Sequence, residues 1–351
     1  MVNLFPKNIM LNGQKVLISD FISNTHHTRI ENEVAEFLKM WYSDEGSVEV
    51  KTSGSTGHPK IIRLDKEFMA QSAQRTLHFF RLEEENRVLL CLPVKYIAGK
   101  MMIVRALIGK LDLHLVEPET DFSFLQQNKF RFVPLVPQQI RKILKNEPSP
   151  GLWMKNIDVV LLGGTSVPHA IEQQLKNFPV ACYSGYGMTE TASHIALRKI
   201  NGNEANEYYH CLDRIDVGLT ESGCLKIFIP GCQEQPLLTT DLAELKDYKT
   251  FRILGRNDHV IISGGIKFSP EQLEKKLEPF ITDPFLISSL PHESLGEQLI
   301  LLVEGKESAE YLKRLQHICQ RTLEKYENPR HIRFVEQLPH TNNGKISRKV
   351  L

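Results

Sequence analysis

Two apolar runs limit the fold of this chain more than any other feature. They are "VLLCLPV" (residues 88–94) and "IDVVLLGG" (157–164), and each is apolar over at least four consecutive positions. A continuous apolar strand is typical of a parallel sheet that has helices on both faces. Segments with helical patterns alternate with such strands from about residue 65 onward. The sequence therefore predicts an α/β fold with a large, doubly wound parallel sheet.

Three predicted helices have recognisable first residues. Asp65 is suited to cap a helix that carries Phe68 and Met69 on its apolar side. Asp121 is predicted to open another helix, and Pro137 fits the first turn of "PQQIRKIL".

The pattern changes in the last third of the chain. After about Val217 the sequence consists of short strands and turns, and from Arg256 it predicts a hairpin, a helix, a strand and a long helix. We therefore expect a large N-terminal domain over residues 1–255 and a small α+β domain over residues 256–351.

Composition and charge exclude several functions. A net charge of +1 over 351 residues gives no electrostatic basis for binding nucleic acid. No apolar run approaches the roughly 20 residues that span a bilayer, so membrane insertion is not expected. The N-terminus lacks the apolar core of a signal peptide. The six cysteines form no CxxC pair and lack zinc spacing, which favours a cytoplasmic protein with reduced thiols and no structural metal.

A loop rich in glycine and hydroxyl groups lies between two short strands. "TSGSTGHPK" (52–60) follows "SVEV" (47–50) and precedes "IIRL" (61–64). Its spacing does not match a Walker A motif, which needs four residues between the glycines and Lys-Ser/Thr directly after them. Backbone N–H groups, hydroxyls and a lysine are suited to surround a polyphosphate. An ordinary Ser/Gly turn is the alternative.

Five further polar clusters follow predicted strands or close the chain. In an open α/β sheet, ligands bind at the carboxyl ends of the strands, where several of these clusters are expected to lie. The clusters are "LLGGTS" (161–166), "YSGYGMTE" (183–190), "LTTD" (238–241), "GRNDHVIISGG" (255–265) and "NNGKISRK" (342–349).

The order and wording of these motifs, over roughly residues 47–351, resemble the adenylate-forming superfamily of acyl-CoA synthetases, non-ribosomal adenylation domains and luciferases. The segment "LCLPVKYIAGKMMIVRAL" (90–107) is most similar to short bacterial o-succinylbenzoate–CoA ligases of menaquinone synthesis. The resemblance implies that residues 1–255 form an adenylation domain and that the C-terminal domain is mobile. It also implies a reaction in which ATP and a carboxylate give an acyl-adenylate, whose acyl group passes to CoA, with Mg²⁺ as cofactor.

The resemblance assigns roles around ATP. Thr189 is expected to contact the α-phosphate, Glu190 to hold Mg²⁺ as a hard oxygen ligand, and Lys345 to bridge the attacking carboxylate and the α-phosphate. Asp241 is expected to accept hydrogen bonds from the ribose hydroxyls, and Arg256 to reach the ribose or phosphate. The loop residues expected at the phosphates are Ser53, Gly54, Ser55, Thr56, Gly57 and Lys60. Those expected around adenine are Gly163, Gly164, Thr165, Tyr186 and Gly187.

Other positions are assigned to the acyl group, the hinge and CoA. Tyr96, Lys100 and Arg105 are expected near the acyl substrate, Asp258 at the hinge, and Gly264 and Gly265 along the CoA path. Lys100 and Arg105 do not share one ideal helical face, so only one is expected to point into the pocket, and Arg105 is favoured. Such a cation is suited to bind the second carboxylate of a dicarboxylic acid.

Several residues also have a purely structural interpretation. Tyr186 is compatible with a core position, Glu190 with a cap, and Lys345 with a solvated charge. Lys100 and Arg105 are compatible with side chains that reach solvent. Gly264 and Gly265 are compatible with a turn.

The chain departs from the superfamily pattern at four places. The phosphate loop comes early, so an outer part of the large domain is expected to be missing. "TTD" replaces Thr-Gly-Asp, Tyr96 stands where histidine is common, and "GRNDH" has one aspartate. A synthetase for another acid and an enzyme that loads a carrier protein remain alternatives. A non-catalytic relative is disfavoured because Glu190 and Lys345 are present. The oligomeric state stays open, a homo-oligomer included.

Overall fold

The computed structural model of this protein describes residues 3–51, 60–119, 121–146, 155–338 and 348. The chain forms two compact units. The first contains Met1–Asp216 and Phe228–Leu237, and the second contains Val217–Ile227 and Leu238–Leu351. The predicted domain boundary after residue 255 falls inside the second unit. That boundary is the position of an expected hinge. The division into compact units does not test for a hinge, so the boundary stays a prediction.

The first unit begins with elements that sequence analysis did not assign. They are β1 (Asn8–Leu11), β2 (Gln14–Leu17), α1 (Ile18–Ser23) and α2 (Arg29–Trp41). Helix α2 starts at a capping box between Thr28 and Glu31, which satisfies two backbone donors reciprocally. Its apolar side buries Phe37 and Trp41.

The predicted pair of strands around the glycine-rich loop is confirmed. Strands β3 (Ser47–Lys51) and β4 (Ile61–Asp65) pair antiparallel, with Lys51 opposite Ile61. Residues 52–59, which join them, lie outside the described part of the chain. Asp65 caps the next helix as predicted, because its side chain accepts the backbone N–H groups of Glu67 and Phe68.

A parallel sheet forms the centre of the first unit. Its elements in chain order are α3 (Lys66–Phe80), β5 (Arg87–Leu90), α4 (Ile97–Gly109), β6 (Asp112–Leu115), β7 (Phe130–Leu135), α5 (Pro137–Asn146), β8 (Ile157–Leu162), α6 (His169–Leu175), β9 (Ala181–Gly187), β10 (His194–Lys199) and β11 (Tyr209–Cys211). Strands β9, β8, β7, β5, β6 and β1 lie side by side and parallel. Strand β10 runs antiparallel to both β9 and β11, and β2 runs antiparallel to β1.

Helices cover both faces of this sheet, as predicted. On one face Val133 and Val160 pack in the same cluster as Ile140 of α5 and Ile171 of α6. On the other face Phe80 of α3 contacts Phe132, with ring centroids 5.1 Å apart. The strands are apolar on both sides because both sides are buried.

The helix predicted to open at Asp121 is only a 3₁₀ turn, Ser123–Gln126. The Asp121 carboxylate accepts the Ser123 backbone N–H at 3.0 Å, so it closes a local turn instead of capping a long helix.

The second unit contains two sets of neighbouring strands. The first has the strand order β12 (Asp216–Leu219), β13 (Cys224–Phe228), β14 (Leu237–Asp247) and β15 (Thr250–Arg256). The second is built from β16 (Ile261–Ser263), β17 (Ile266–Phe268), β18 (Phe285–His292), β19 (Gly296–Glu304) and β20 (His331–Val335). Helices α7 (Pro270–Leu277) and α8 (Ala309–Thr322) contribute Leu273 and Leu315 to the core of the second set.

Among the residues that the structure describes, no helix is long and apolar enough to cross a membrane. Four cysteines, Cys91, Cys182, Cys224 and Cys319, are buried as thiols.

Candidate active site

Two of the predicted nucleotide motifs lie at one edge of the central sheet. Strands β8 and β9 are parallel neighbours, and Leu162 pairs with Ser184. Gly163–Thr165 follows the carboxyl end of β8, and residues 187–190 lie at the carboxyl end of β9. Their expected placement at the same sheet edge is therefore confirmed. Gly163 is fixed there by its N–H, which donates to Leu135 O at 3.1 Å.

Gly187 is required by a close approach of two backbone segments. It pairs with His194 at the start of β10. A Cβ atom added at Gly187 would lie 2.2 Å from Ser193 O and 2.6 Å from His194 Cα. The glycine thus allows β10 to return close beside β9, which fixes the turn that carries Thr189 and Glu190.

The Thr191 hydroxyl organises this turn. It accepts the Met188 N–H at 3.0 Å and lies 2.6 Å from Ser193 O. Ala192 has a φ of 60°, and its N–H donates to Thr189 O at 2.9 Å. These hydrogen bonds fix the backbone of the turn that carries Thr189 and Glu190.

We expect Gly187→Ala to destabilise the protein by about 1–3 kcal/mol, because the added methyl group meets backbone atoms that have nowhere to move. The measurement is chemical unfolding, with ATP-dependent activity measured in parallel. Gly163→Ala is the matched control at the same sheet edge. A Cβ added at Gly163 meets no atom of the described chain within 4 Å. Equal unfolding free energies for the two variants would contradict the close-approach explanation.

Tyr186 lies on β9 beside a second tyrosine. It is partly exposed, so the alternative interpretation as a core residue is not supported. Its ring centroid lies 5.8 Å from that of Tyr209. The Tyr209 hydroxyl lies 3.0 Å from Ser184 Oγ, and the Arg198 guanidinium lies 5.6 Å from the Tyr209 ring centroid. The Tyr209 ring thus packs against the Tyr186 ring. Adenine stacking on Tyr186 stays a prediction.

Glu190 lines a small cleft of the first unit. The same cleft is bordered by Asp65, Phe68, Gly231 and Glu234. A turn and strand β10 follow Glu190, so no helix begins there for its side chain to cap.

The donor set at Glu190 fits magnesium bound together with a nucleotide. Within the described residues there is no group of three or more His, Cys, Asp or Glu side chains placed to hold a metal. Mg²⁺ is usually held by one or two carboxylates together with substrate phosphates, so the Glu190 carboxylate in this cleft suits it. The metal role of Glu190 stays a prediction.

Arg105 is a buried cation on α4. Its side chain is 2% exposed. The guanidinium donates to Ser193 Oγ at 2.7 Å and approaches Met102 Sδ at 3.5 Å, and its Nε has no partner. In the described part of the chain no carboxylate forms an ion pair with it. Burial lowers the pKa of Arg105 to about 9.

The surroundings of Arg105 are polar but uncharged. His194 Nε2 lies 3.1 Å from the Thr76 hydroxyl, and His194 Nδ1 lies 3.3 Å from Ser193 Oγ. Burial and the charge of Arg105 hold the pKa of His194 well below its ordinary value, so its imidazole is neutral. Sequence analysis did not single out Thr76, Ser193 and His194 near Arg105. They come together only through contacts between segments that are distant in the sequence, and no local pattern indicates such contacts.

Lys100 points away from Arg105. Its Nζ lies 5.0 Å from the Phe37 ring centroid on α2, and the side chain is 5% exposed. The alternative that Lys100 and Arg105 both reach solvent is therefore wrong.

Tyr96, at the N-cap of α4, is partly exposed, and Lys95 Nζ lies 5.1 Å from its ring centroid. The acyl-pocket roles of all three predicted residues stay predictions.

The second unit brings Asp241, Arg256 and Asp258 together. Asp241 and Arg256 are opposite each other in the β14–β15 pair. Arg256 Nε and Nη2 each donate to Asp258 at 2.9 Å, and Nη1 lies 3.5 Å from Asp241 Oδ1. The hydrogen bonds to Asp258 raise the pKa of Arg256, and they lower the pKa of Asp258. The predicted ribose carboxylate and hinge residue thus share one arginine.

Gly264 and Gly265 form the turn of the β16–β17 hairpin. Their φ angles are 58° and 81°, which is the left-handed region required at both positions of a tight hairpin turn. The structure therefore explains both glycines without CoA, and their place on the CoA path stays a prediction.

Several predicted residues cannot be assessed in the structure. Lys345 and the loop residues Ser53, Gly54, Ser55, Thr56 and Gly57 lie outside the described residues.

Lys60, at the end of that loop, is described and exposed. Gly164 has a φ of 86°, and Thr165 next to it is exposed at the sheet edge.

Comparisons with known proteins identify the class. Residues 51–215 match the AMP-binding enzyme family, and residues 287–345 match the AMP-binding enzyme C-terminal domain. The chain is 34% identical to an acyl-CoA synthetase (AMP-forming)/AMP-acid ligase II-like protein from Dyadobacter fermentans, with a TM-score of 0.63. That match covers 95% of this chain and 96% of the other. This chain belongs to the AMP-binding enzymes, the adenylate-forming superfamily that its motifs indicated.

Two further relatives are more specific in name. A 2-succinylbenzoate–CoA ligase from Listeria monocytogenes is 26% identical over 91% of this chain and 72% of its own length. The O-succinylbenzoate Coenzyme A synthetase (MenE) from Bacillus subtilis, solved with ATP and magnesium ion, is 20% identical with a TM-score of 0.70. The latter match covers 86% of this chain and 68% of that one, and it shows the fold alone.

Proposed function

We propose that this protein is an ATP-dependent acid–thiol ligase that adenylates o-succinylbenzoate and transfers the acyl group to CoA. The observation that carries the choice of acid is the buried Arg105 guanidinium, which has only neutral partners among the described residues. The similarity to the Listeria 2-succinylbenzoate–CoA ligase supports the same acid. A cytoplasmic location stays a prediction from sequence, and the oligomeric state stays open.

The first half-reaction joins the acid to AMP. A carboxylate oxygen of the acid attacks the α-phosphorus of ATP, and the bond to the β-phosphate oxygen breaks with loss of pyrophosphate. Glu190 would hold Mg²⁺, which would neutralise charge on the phosphates. Thr189, in the turn after β9, is proposed to hydrogen-bond the α-phosphate. The glycine-rich loop at residues 52–60 and Lys345 supply further positive charge and donors.

The second half-reaction transfers the acyl group. The CoA thiolate attacks the acyl carbonyl carbon, the bond to the phosphate oxygen breaks, and AMP leaves. The thiol proton is lost to solvent or base. The hinge at Asp258 is proposed to let the small domain adopt a second orientation for this step.

The second carboxylate of o-succinylbenzoate explains Arg105. A guanidinium that is buried without an anionic partner is costly, and a carboxylate that accepts its unused N–H groups would remove that cost. The neutral His194 adds no competing charge. A dicarboxylic acid supplies one carboxylate for adenylation and leaves the aromatic one for Arg105. A monocarboxylic acid would leave the cation without an anionic partner.

We expect Arg105→Ala to weaken the use of o-succinylbenzoate by about 10- to 100-fold in kcat/KM, the range for hydrogen bonds to a charged group. The kcat/KM for a monocarboxylic aryl acid should change much less, because that acid has no second carboxylate to bind the guanidinium. The measurement is pyrophosphate exchange with both acids, followed by acyl-CoA formation with free CoA and no carrier protein.

Two variants sharpen the comparison. Arg105→Lys keeps the charge but loses the planar fork, so we expect an intermediate loss. Lys100→Ala is the matched control on the same helix, since Lys100 faces Phe37 instead of Ser193. A wild-type preference for a monocarboxylic acid would remove the choice of o-succinylbenzoate and leave a broader acyl-CoA synthetase activity. A failure with CoA alone would point to a carrier-protein acceptor.

A further inference from the structure

A row of hydrogen bonds connects helix α3 to the Arg105 guanidinium. It runs from Ser72 O to the Thr76 hydroxyl at 3.3 Å, and from there to His194 Nε2 at 3.1 Å. His194 Nδ1 lies 3.3 Å from Ser193 Oγ, which lies 2.7 Å from Arg105 Nη2. Thr76 and His194 are buried, whereas Ser193 is partly exposed. The row therefore begins in the core and ends at the buried cation.

The two ends of the row fix the direction of its outer hydrogen bonds. A backbone carbonyl only accepts and a guanidinium only donates. The Thr76 hydroxyl therefore donates to Ser72 O, and Arg105 donates to Ser193 Oγ. Because the Thr76 hydroxyl has a single proton, its oxygen is left to accept a proton from His194 Nε2.

These directions select one tautomer of His194. Burial and the charge of Arg105 hold the pKa of His194 well below its ordinary value, so the ring carries one N–H. With that proton on Nε2, Nδ1 is an acceptor, and the Ser193 hydroxyl donates to it. Every proton of the row then has an acceptor. With the proton on Nδ1 instead, the Ser193 hydroxyl proton would have no acceptor within the row.

The selected tautomer has a consequence for Arg105. With its proton donated to His194, the Ser193 oxygen serves as an acceptor for the guanidinium. The short bond to Nη2 holds the guanidinium in place, while Nε has no partner among the described residues. A guanidinium that is held at one nitrogen and unpaired at another is preorganised to bind a carboxylate, because little side-chain freedom is left to lose.

We propose that Thr76 and His194 are positioning residues for recognition of the second carboxylate of the acid. Thr76 selects the Nε2–H tautomer of His194, and that tautomer keeps Ser193 as the acceptor that holds Arg105. This inference rests on the proposed function, in which Arg105 binds the aromatic carboxylate of o-succinylbenzoate. Thr76 and His194 act on the acid through Ser193 and Arg105.

The test is the kinetics of Thr76→Val. Valine keeps the branched shape of threonine but leaves His194 Nε2–H without its acceptor. We expect the KM for o-succinylbenzoate to rise about 3- to 10-fold, the usual effect of one hydrogen bond. The kcat and the KM for ATP should stay near their wild-type values, because the substitution weakens binding of the acid alone. Thr76→Ser keeps the hydroxyl and should keep the wild-type KM.

Ser72→Ala is the matched control, one turn earlier on the same helix. Ser72 is also buried, and it contributes to the row only its backbone carbonyl, which alanine retains. The KM for o-succinylbenzoate should therefore stay unchanged. In Thr76→Val the KM for a monocarboxylic aryl acid should also stay unchanged, because that acid has no carboxylate for Arg105.

Nitrogen-15 NMR of the histidine rings gives a readout that does not depend on activity. The signals of His194 are assigned by their loss in His194→Gln. We expect the Nε2–H tautomer in the wild-type protein, in Thr76→Ser and in Ser72→Ala. In Thr76→Val the proton should move toward Nδ1, because Nε2 has lost its acceptor.

The outcomes separate the two hypotheses. If the wild-type protein does not use o-succinylbenzoate, the proposed function is wrong and the positioning role falls with it, while the NMR signals still decide whether the row selects a tautomer. If the wild-type protein uses this acid, an unchanged KM in a folded Thr76→Val protein overturns the positioning role. The Nδ1–H tautomer in the wild-type protein, or an equal rise of KM for the monocarboxylic acid, overturns it as well.

Discussion

Glu190→Gln is expected to lower magnesium-dependent pyrophosphate exchange by roughly 100-fold or more, because a metal ion contributes several kcal/mol of charge stabilisation and each 1.4 kcal/mol is tenfold in rate. Glutamine keeps the size of the side chain and one oxygen ligand but removes the charge. Glu190 is partly exposed in a turn that is fixed by the hydrogen bonds of Thr191. The substitution should therefore leave the fold intact.

The magnesium concentration at half-maximal rate distinguishes a metal ligand from other roles. It should rise in Glu190→Gln, since the remaining affinity comes from ATP alone. Glu234→Gln is the matched control, because Glu234 lines the same cleft but lies on another segment. An undiminished exchange rate in Glu190→Gln would remove this residue from the metal site.

Local patterns predicted the centre of the fold. The apolar runs at 88–94 and 157–164 are strands of the parallel sheet because burial on both faces leaves no alternation in the sequence. Strands β1 and β2 were missed, since each has only four residues. The place of β1 is set by pairing with β6, about a hundred positions later, and β2 pairs with β1. At Asp121 the same carboxylate chemistry serves a short turn as well as a helix cap, so local sequence does not determine which one forms.

The nucleotide motifs were predicted from their order and wording, which resemble those of the superfamily, and part of their geometry depends on nearby residues. Gly187 and Ser193 are close in sequence, so the close approach of their backbones depends on the local motif alone. The surroundings of Arg105 depend on contacts between distant segments. Its hydroxyl partner Ser193 lies 88 positions away, and helical spacing alone left Lys100 and Arg105 as competing candidates. In the structure Lys100 packs against Phe37, which lies on helix α2, an element that sequence analysis did not assign. That contact distinguishes Lys100 from Arg105.

The hinge region shows how one pattern serves both structure and function. Asp258 is held by Arg256 in a bidentate pair, and the tight hairpin turn requires Gly264 and Gly265. Sequence reasoning identified these residues but gave no sign of the contacts from Glu271 and Glu274 to Arg348. Those contacts join α7 to a residue more than 70 positions later, and only a folded chain brings them together.

Lys345→Ala is expected to abolish most acyl-adenylate formation while leaving the transfer of a supplied acyl-adenylate to CoA near the wild-type rate. The lysine is a mobile point charge that is suited to bridge the attacking carboxylate and the α-phosphate, and that charge separation exists only in the first half-reaction. We expect a loss of roughly 100- to 1000-fold in pyrophosphate exchange, comparable to removing one preorganised donor from a transition state.

The decisive measurement runs both half-reactions on one protein preparation. Lys349→Ala changes another lysine of the same "NGKISRK" segment and should leave both rates unchanged. If Lys345→Ala slows the two half-reactions equally, the lysine serves a step they share, and the proposed rotation of the small domain about Asp258 loses its support. If only adenylation is slowed, the lysine serves the first half-reaction alone, because its charge is then needed only in the transition state of that step.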